Sequence, residues 1–157
     1  MGWAPTLSLA YSKALRGAGM KLPKPGSHVF LSIRREDKPF IVDSCRSLID
    51  MGYYIEATEG TAEFLNTLGI PSARINKSFE PGYTCVDGIN DGRYSLVINT
   101  AQTLDAIRDS YVIRRRALEK NIPCVTTVAE LRVLVQSLRE TYKSLGFIEA
   151  LQDRTRI

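Results

Sequence analysis

Apolar positions in this chain recur first at helical spacing and then in alternating strand and helix patterns. Leu7, Ala10, Tyr11, Ala14 and Leu15 fall on one helical face. That spacing predicts a helix over residues 6–20, stopped by Gly17 and Gly19. The following Lys21-Leu22-Pro23-Lys24-Pro25-Gly26 carries two prolines and a glycine and reads as a linker. The first helix therefore joins the body only if something beyond the linker holds it.

From Ser27 the pattern becomes strand, helix, strand, helix. His28 to Ile33 is an apolar strand, and Arg34 to Pro39 a charged loop. Residues 40–51 then place Phe40, Ile41, Ser44, Leu48 and Met51 on one helical face, closed by Gly52. Residues 53–58 predict a second strand, 61–68 a second helix with Gly69 as its stop, and 72–75 a short third strand. Asn76 to Tyr83 is a loop, and Cys85 to Asn90 a short helix ended by Asp91-Gly92. Leu96 to Asn99 is apolar on both faces, as a central parallel strand should be. Residues 110–119 predict a helix, 124–127 a fifth strand and 129–145 a closing helix. Such alternation implies right-handed crossovers: an α/β, Rossmann-like three-layer sandwich with a five-stranded parallel sheet and an extra N-terminal helix.

Parallel sheets of this kind bind ligands beyond the carboxyl ends of their strands, where strand order reverses. Here those ends carry Arg34 to Lys38, Thr58 to Thr61, Asn76-Lys77, Asn99-Thr100 and Thr126-Thr127. The segment Glu56-Ala57-Thr58-Glu59-Gly60-Thr61-Ala62 runs from a strand through a glycine-containing turn into a helix. The first N–H groups of a helix lack internal partners and its dipole favours an anion, so this junction is a natural phosphate cradle. Thr58 and Thr61 are also ordinary capping residues, and both roles are compatible. Lys38 and Lys77 fit as countercharges, with a solvated lysine the plain alternative. Asn99 either turns the chain or reaches the ligand, and Thr126 and Thr127 read equally well as strand residues. Glu59 is expected to face solvent, and His28 to lie at the opposite end of the sheet.

Composition narrows the classes. The 157 residues suit one compact domain, with 44% hydrophobic and 24% charged residues. No apolar run approaches the roughly 20 residues of a membrane span, and the start has no signal-peptide pattern, so a cytoplasmic location is expected. The net charge of +4 comes from 21 basic residues interleaved with 17 acidic ones. Only Arg114-Arg115-Arg116 forms a dense run, read as a solvated or domain-contacting helix face, and nucleic acid is not an expected partner. Cys45, Cys85 and Cys124 stand apart with a single histidine, which argues against a disulfide framework and a zinc site; Cys124, in an apolar strand, reads as a small core residue, and neither Cys45 nor Cys85 has a neighbouring base to activate it. No dinucleotide fingerprint, P-loop or nucleophile elbow occurs, and no general base stands beside a nucleophile near the cradle.

Several motifs fall in one family's order and spacing: Asp37-Lys38, Ala57 to Ala62, Ile75-Asn76-Lys77, Leu96 to Thr100, Val112 to Leu118, and Ile122 to Thr127. Over Gly26 to Leu138 the chain resembles the methylglyoxal-synthase-like domain, specifically the carboxyl-terminal allosteric domain of the carbamoyl phosphate synthetase large subunit. Met1 to Pro23 is similar to the segment leaving the second synthetase unit of that subunit, and Phe147 to Arg154 to its usual terminus. The resemblance divides the chain into residues 1–22 as a remnant of the preceding unit, 23–141 as the allosteric domain and 142–157 as a tail helix.

The resemblance implies a nucleotide monophosphate effector, UMP as inhibitor or IMP as activator in bacterial enzymes. Thr58, Gly60 and Thr61 would hold its phosphate and Lys38 and Lys77 would neutralise it. Asn99 would contact the nucleoside side, with Thr100 in the same set. Thr126 matches the position that faces ornithine in ornithine-regulated members. The implied partners are the synthetase units, the glutaminase small subunit through the full enzyme, and further copies of the chain. ATP and magnesium or manganese would belong to the synthetase units, leaving no cofactor, catalytic residue or metal here. Two features depart from the family pattern, Glu80-Pro81-Gly82-Tyr83 and Ala101-Gln102-Thr103. Both border the base and ribose region. Two other readings stay open: a free-standing phosphate lyase like methylglyoxal synthase, and an interaction domain without ligand. The lyase would need a His-Asp pair where Arg34-Arg35 stand and a Gly-Gly-Asp near Pro81-Gly82-Tyr83.

Overall fold

A computed structural model describes the backbone of residues 5–100 and 104–154, and the side chains of 5–100 and 107–143. Met1-Gly2-Trp3 and Ala101-Gln102-Thr103 lie outside the described residues, as do the side chains of the terminal Phe147 to Arg154 segment. Five strands, β1 (His28–Ser32), β2 (Tyr54–Ala57), β3 (Ser72–Arg74), β4 (Tyr94–Asn99) and β5 (Cys124–Val125), form one parallel sheet in the order β3-β2-β1-β4-β5. Among the described residues six α-helices accompany them: α1 (Leu7–Gly17), α2 (Val42–Asp50), α3 (Glu59–Thr67), α4 (Cys85–Asn90), α5 (Leu104–Glu119) and α6 (Val128–Arg154). The last runs unbroken past Leu145 to Arg154, into the segment set apart above as a tail.

Alternation along the strands builds two cores. Val29, Leu31, Ile55, Leu96 and Ile98 face α2, α3 and α6, where Leu48, Leu65, Leu131 and Leu134 meet them. On the other face Phe30 and Val97 pack against Cys85 and Ile89 of α4 and Ile113 and Ala117 of α5. Strand order reverses between β1 and β4, because α2 and α3 carry the chain one way on one face and α4 and α5 carry it back on the other. The second face also holds a polar cluster. Glu56 is only 4% exposed. It accepts from Arg93 Nε at 2.8 Å and from the Tyr94 hydroxyl at 2.6 Å. His28 Nδ1 lies 3.1 Å away. Tyr94 reaches that face because the β1–β4 register shifts between Tyr94 and Leu96. Burial alone would push the Glu56 carboxyl up; the Arg93 and Tyr94 hydrogen bonds outweigh it and hold it below the usual range.

Three expectations need correction. The face of α1 turned to the body is not Leu7 and Ala14, for Leu7 is 72% exposed while Ser8 and Ser12 are buried. Small hydroxyl side chains let α1 lie close on α6. Ser137 Oγ donates to Ser8 O at 2.6 Å, Ser8 Oγ to Glu140 at 2.6 Å, and the Tyr11 hydroxyl to Glu130 at 2.9 Å. Those bonds, with the Tyr53 and Tyr142 hydroxyls each donating to Pro23 O at 2.8 Å, hold helix and linker on the body. Second, the Arg34–Pro39 loop is a 3-10 helix, Arg35–Phe40. Third, Phe40 ends that helix instead of starting α2, and it turns outward at 58% exposure. Cys124 packs at the edge of the second core, as its apolar strand predicts, and Cys45 and Cys85 are buried. Burial pushes Cys45 and Cys85 up to about 12 and Cys124 up to about 11.

Candidate functional site

The candidate site lies at the carboxyl ends of β1, β2 and β4. Thr58 leaves β2 at the N-cap position of α3, with its N–H donating to Leu31 O of β1 at 3.1 Å. Its carbonyl accepts from the Thr61 and Ala62 N–H groups at 2.9 and 2.8 Å. The side chain makes no capping bond, contrary to the expectation from sequence. Thr58 and Thr61 are both buried, at 6% and 1% exposure. Thr58 Oγ1 donates to Thr61 Oγ1 at 3.4 Å, and Thr61 Oγ1 accepts from the Ile33 N–H at 3.3 Å. The threonines thus knit the ends of β1 and β2 together. No side-chain cap covers the first turn of α3, whose two leading N–H groups, those of Glu59 and Gly60, have no helical acceptor.

Lys38 reaches this turn from the 3-10 helix. Its ammonium donates to Gly60 O at 2.6 Å, and a Cβ on Gly60 would come within 3.3 Å of it. Burial and the Arg35 charge push the Lys38 ammonium below its ordinary value, partly countered by Glu63. Asn99 is fully buried at the end of β4. Its amide oxygen accepts from Ser110 Oγ at 3.2 Å, and its carbonyl from Arg114 Nη2 at 3.0 Å. Thr100, 2% exposed, donates its N–H to Ser32 O at 3.1 Å and accepts at Oγ1 from the Arg34 N–H at 3.2 Å. Lys38, Thr58, Gly60 and Thr61 are therefore bonded into one unit with the end of β1, and Asn99 and Thr100 flank it on β4.

Lys77 and Thr126 stand apart from that unit. Ile75 N–H donates to Ala57 O at 2.9 Å, which carries the chain level with Thr58 before it turns out. Lys77 is then exposed, and its N–H donates to Glu80 at 2.9 Å. Among the described residues its ammonium makes no hydrogen bond or ion pair. The departure at Glu80 to Tyr83 forms a closed loop: Asn76 Nδ2 donates to Pro81 O at 3.0 Å, Gly82 takes a positive φ of 92°, and Tyr83 donates to Asp91 at 2.8 Å. Ser78 Oγ bonds Asp109 and fastens this loop to α5. Thr126, beyond β5, donates its N–H to Glu130 at 3.3 Å, the residue that also takes the Tyr11 hydroxyl.

The sequence offers Arg34 and Asp37 only as part of the polar end of β1 and does not offer Ser110 or Arg114 as site residues. It reads Arg114 with its neighbours as a solvated or domain-contacting face, yet of the three only Arg115 and Arg116 turn to Glu119. Its place between the core residues Ile113 and Ala117 was the available signal. For Arg34 and Asp37 the signal was their i, i+3 spacing, which suits one helical turn. Glu59 faces outward as expected and pairs with Arg74 at 2.7 Å. Of the carboxylates near the turn, Asp37 is committed to Arg34 and Glu59 to Arg74. The site offers donors and positive charge, the equipment for holding an anion. Among the described residues no group of three or more His, Cys, Asp or Glu could hold a metal, and no helix is long and apolar enough to cross a membrane.

Sheet order, crossovers and polar strand ends define the class, a doubly wound parallel α/β domain with its donors gathered where strand order reverses. Within that class the chain belongs to the MGS-like domain family, whose profile matches residues 40–126, more than half the chain. It is 39% identical over 139 residues to the carbamoyl phosphate synthase large chain of Pseudomonas syringae pv. tomato, a match covering 88% of this chain and 13% of that one. The large chain of Myxococcus xanthus is 41% identical over 138 residues, again 88% and 13%. That of Rubrobacter xylanophilus is 37% identical over 154 residues, covering 98% of this chain and 14% of its own. The chain thus spans about an eighth of the length of these relatives, matching their carboxyl-terminal part.

Proposed function

We propose that this chain is a regulatory, effector-binding domain serving a carbamoyl phosphate synthase, and that it holds a nucleotide monophosphate by its phosphate at the first turn of α3. The observation that carries this reading is Lys38: its ammonium sits on the Gly60 carbonyl at 2.6 Å, over a helix start with no side-chain cap. A cation beside uncapped helix N–H groups suits a phosphate. Thr58, Gly60 and Thr61 would hold the phosphate, Lys38 and Lys77 would neutralise it, and Asn99 and Thr100 would border the nucleoside. UMP and IMP are the effectors proposed, and Thr126 would face ornithine where ornithine also regulates.

The domain would perform no chemistry itself. Ligand occupancy would shift the conformation of synthetase units, in the same chain or a partner, and through them the glutaminase subunit. Such control requires unequal effector affinity for the active and inactive states, with coupling of about 1–3 kcal/mol. The test is calorimetric titration of the chain with UMP and with IMP, beside Lys38→Ala and Thr61→Val. Binding of either nucleotide, weakened in both variants by more than about 1 kcal/mol, is the expected result. A folded chain giving no heat at millimolar nucleotide would overturn it.

A further inference from the structure

The 3-10 helix that delivers Lys38 is itself tied to β4. Arg34 Nε and Nη2 grip the two Asp37 carboxylate oxygens at 2.6 and 3.1 Å across one turn. The Arg34 N–H donates to Thr100 Oγ1 at 3.2 Å. Thr100 is buried and is anchored by its own N–H to Ser32 O at 3.1 Å. Lys38 follows Asp37 directly. Arg34 therefore joins two separate segments immediately before the lysine, through its N–H to Thr100 and its guanidinium to Asp37.

We infer that Arg34, Asp37 and Thr100 form a clamp that fixes the 3-10 helix and so sets the Lys38 ammonium over the first turn of α3. Thr100 then serves the site as a positioning residue, with its hydroxyl committed to the Arg34 N–H instead of to the ligand. Breaking either link of Arg34, to Thr100 or to Asp37, releases the same helix, so the three residues act as one unit. The Arg34 guanidinium holds the Asp37 carboxyl below its usual range, helped by the Thr100 hydroxyl, which keeps the pair ionised at neutral pH. The consequence for ligand affinity rests on the phosphate reading above; the clamp itself does not.

Two measurements on Thr100→Val, Asp37→Asn, their double variant and Thr100→Ser decide the matter. The first is amide hydrogen exchange without ligand, read at Asp37 and Ile41, whose N–H groups bond Arg34 O and Lys38 O. Exchange at both should rise about ten-fold in Thr100→Val and Asp37→Asn and return in Thr100→Ser, while Val29 to Leu31 of β1 stay protected as proof of folding. Unchanged exchange at Asp37 and Ile41 would overturn the clamp. The second is titration with inorganic phosphate and with UMP. Each single variant should weaken binding about ten-fold, and the double variant no further, because all act through Lys38. Losses that multiply in the double variant would make Thr100 a direct ligand contact and overturn the positioning role. A wild-type chain that binds neither probe would refute the phosphate reading, and the exchange arm would then decide the clamp alone.

Discussion

Replacing Glu56 with glutamine should cost about 2 kcal/mol at neutral pH, since a charge-assisted hydrogen bond contributes roughly 1.5–3 kcal/mol and a neutral one roughly 0.5–1.5. Two such bonds lose their charge. The one to Tyr94 is buried and should carry most of the effect. Arg93 has a side chain 44% exposed, so water screens its share. Relief of the buried charge's desolvation offsets part of the loss. For a chain of this length the net change lowers Tm by roughly 4–8 °C. The pH dependence carries the sharper test. The folded carboxyl lies below its ordinary value of 4.5, so the stability it contributes is present above that value and is lost as pH falls through the folded pKa. Urea unfolding of wild type and Glu56→Gln at pH 7 and at steps below pH 4.5 should show a gap that closes as the pH drops. Equal stability at pH 7, or a gap indifferent to pH, would refute the reasoning.

Other outcomes follow from packing and burial. A Cβ at Gly88 would stand 2.5 Å from Tyr94 Cε2, so Gly88→Ala should lose about 1–3 kcal/mol in urea unfolding through displacement of the ring. With Cys45 and Cys85 pushed up to about 12 and Cys124 up to about 11, a disulfide thiol reagent at pH 8 should titrate no thiol in the native chain and 3 in urea. Tyr53→Phe should cost under about 1 kcal/mol because Tyr142 still donates to Pro23 O, whereas Tyr53→Phe with Tyr142→Phe should cost more. Only the double variant should be cut rapidly by trypsin after Lys21.

The strand and helix alternation was legible because each element carries its own period, and even the short Cys85–Asn90 helix could be placed from its Asp91-Gly92 stop. The polar strand ends were legible for the same reason: once five parallel strands are assigned, their carboxyl ends are fixed. What escaped depends on partners distant in sequence. The buried face of α1 is a seam of serines, and a serine reads as core only once Glu140 and Ser137 are known to satisfy it. Glu56 looks like an ordinary strand residue until Arg93, 37 positions on, meets it. The beginning of α5 at Leu104, six residues earlier than expected, lies among Asp105, Arg108 and Asp109, which mask its period. Thr58 shows that a residue at a capping position need not cap when its hydroxyl finds another partner, here the Thr61 hydroxyl.

A phosphate at the first turn of α3 would be seen directly in amide chemical shifts. Inorganic phosphate and then UMP would be titrated into isotope-labelled chain while backbone N–H resonances are followed. The largest saturable shifts should fall on Glu59, Gly60 and Thr61, with Lys38 moving alongside and the same residues shifting little in Lys38→Ala. Saturable shifts confined to the groove between the linker and α6, near Met20, Leu22 and Tyr142, or no shift with a folded chain, would contradict the account.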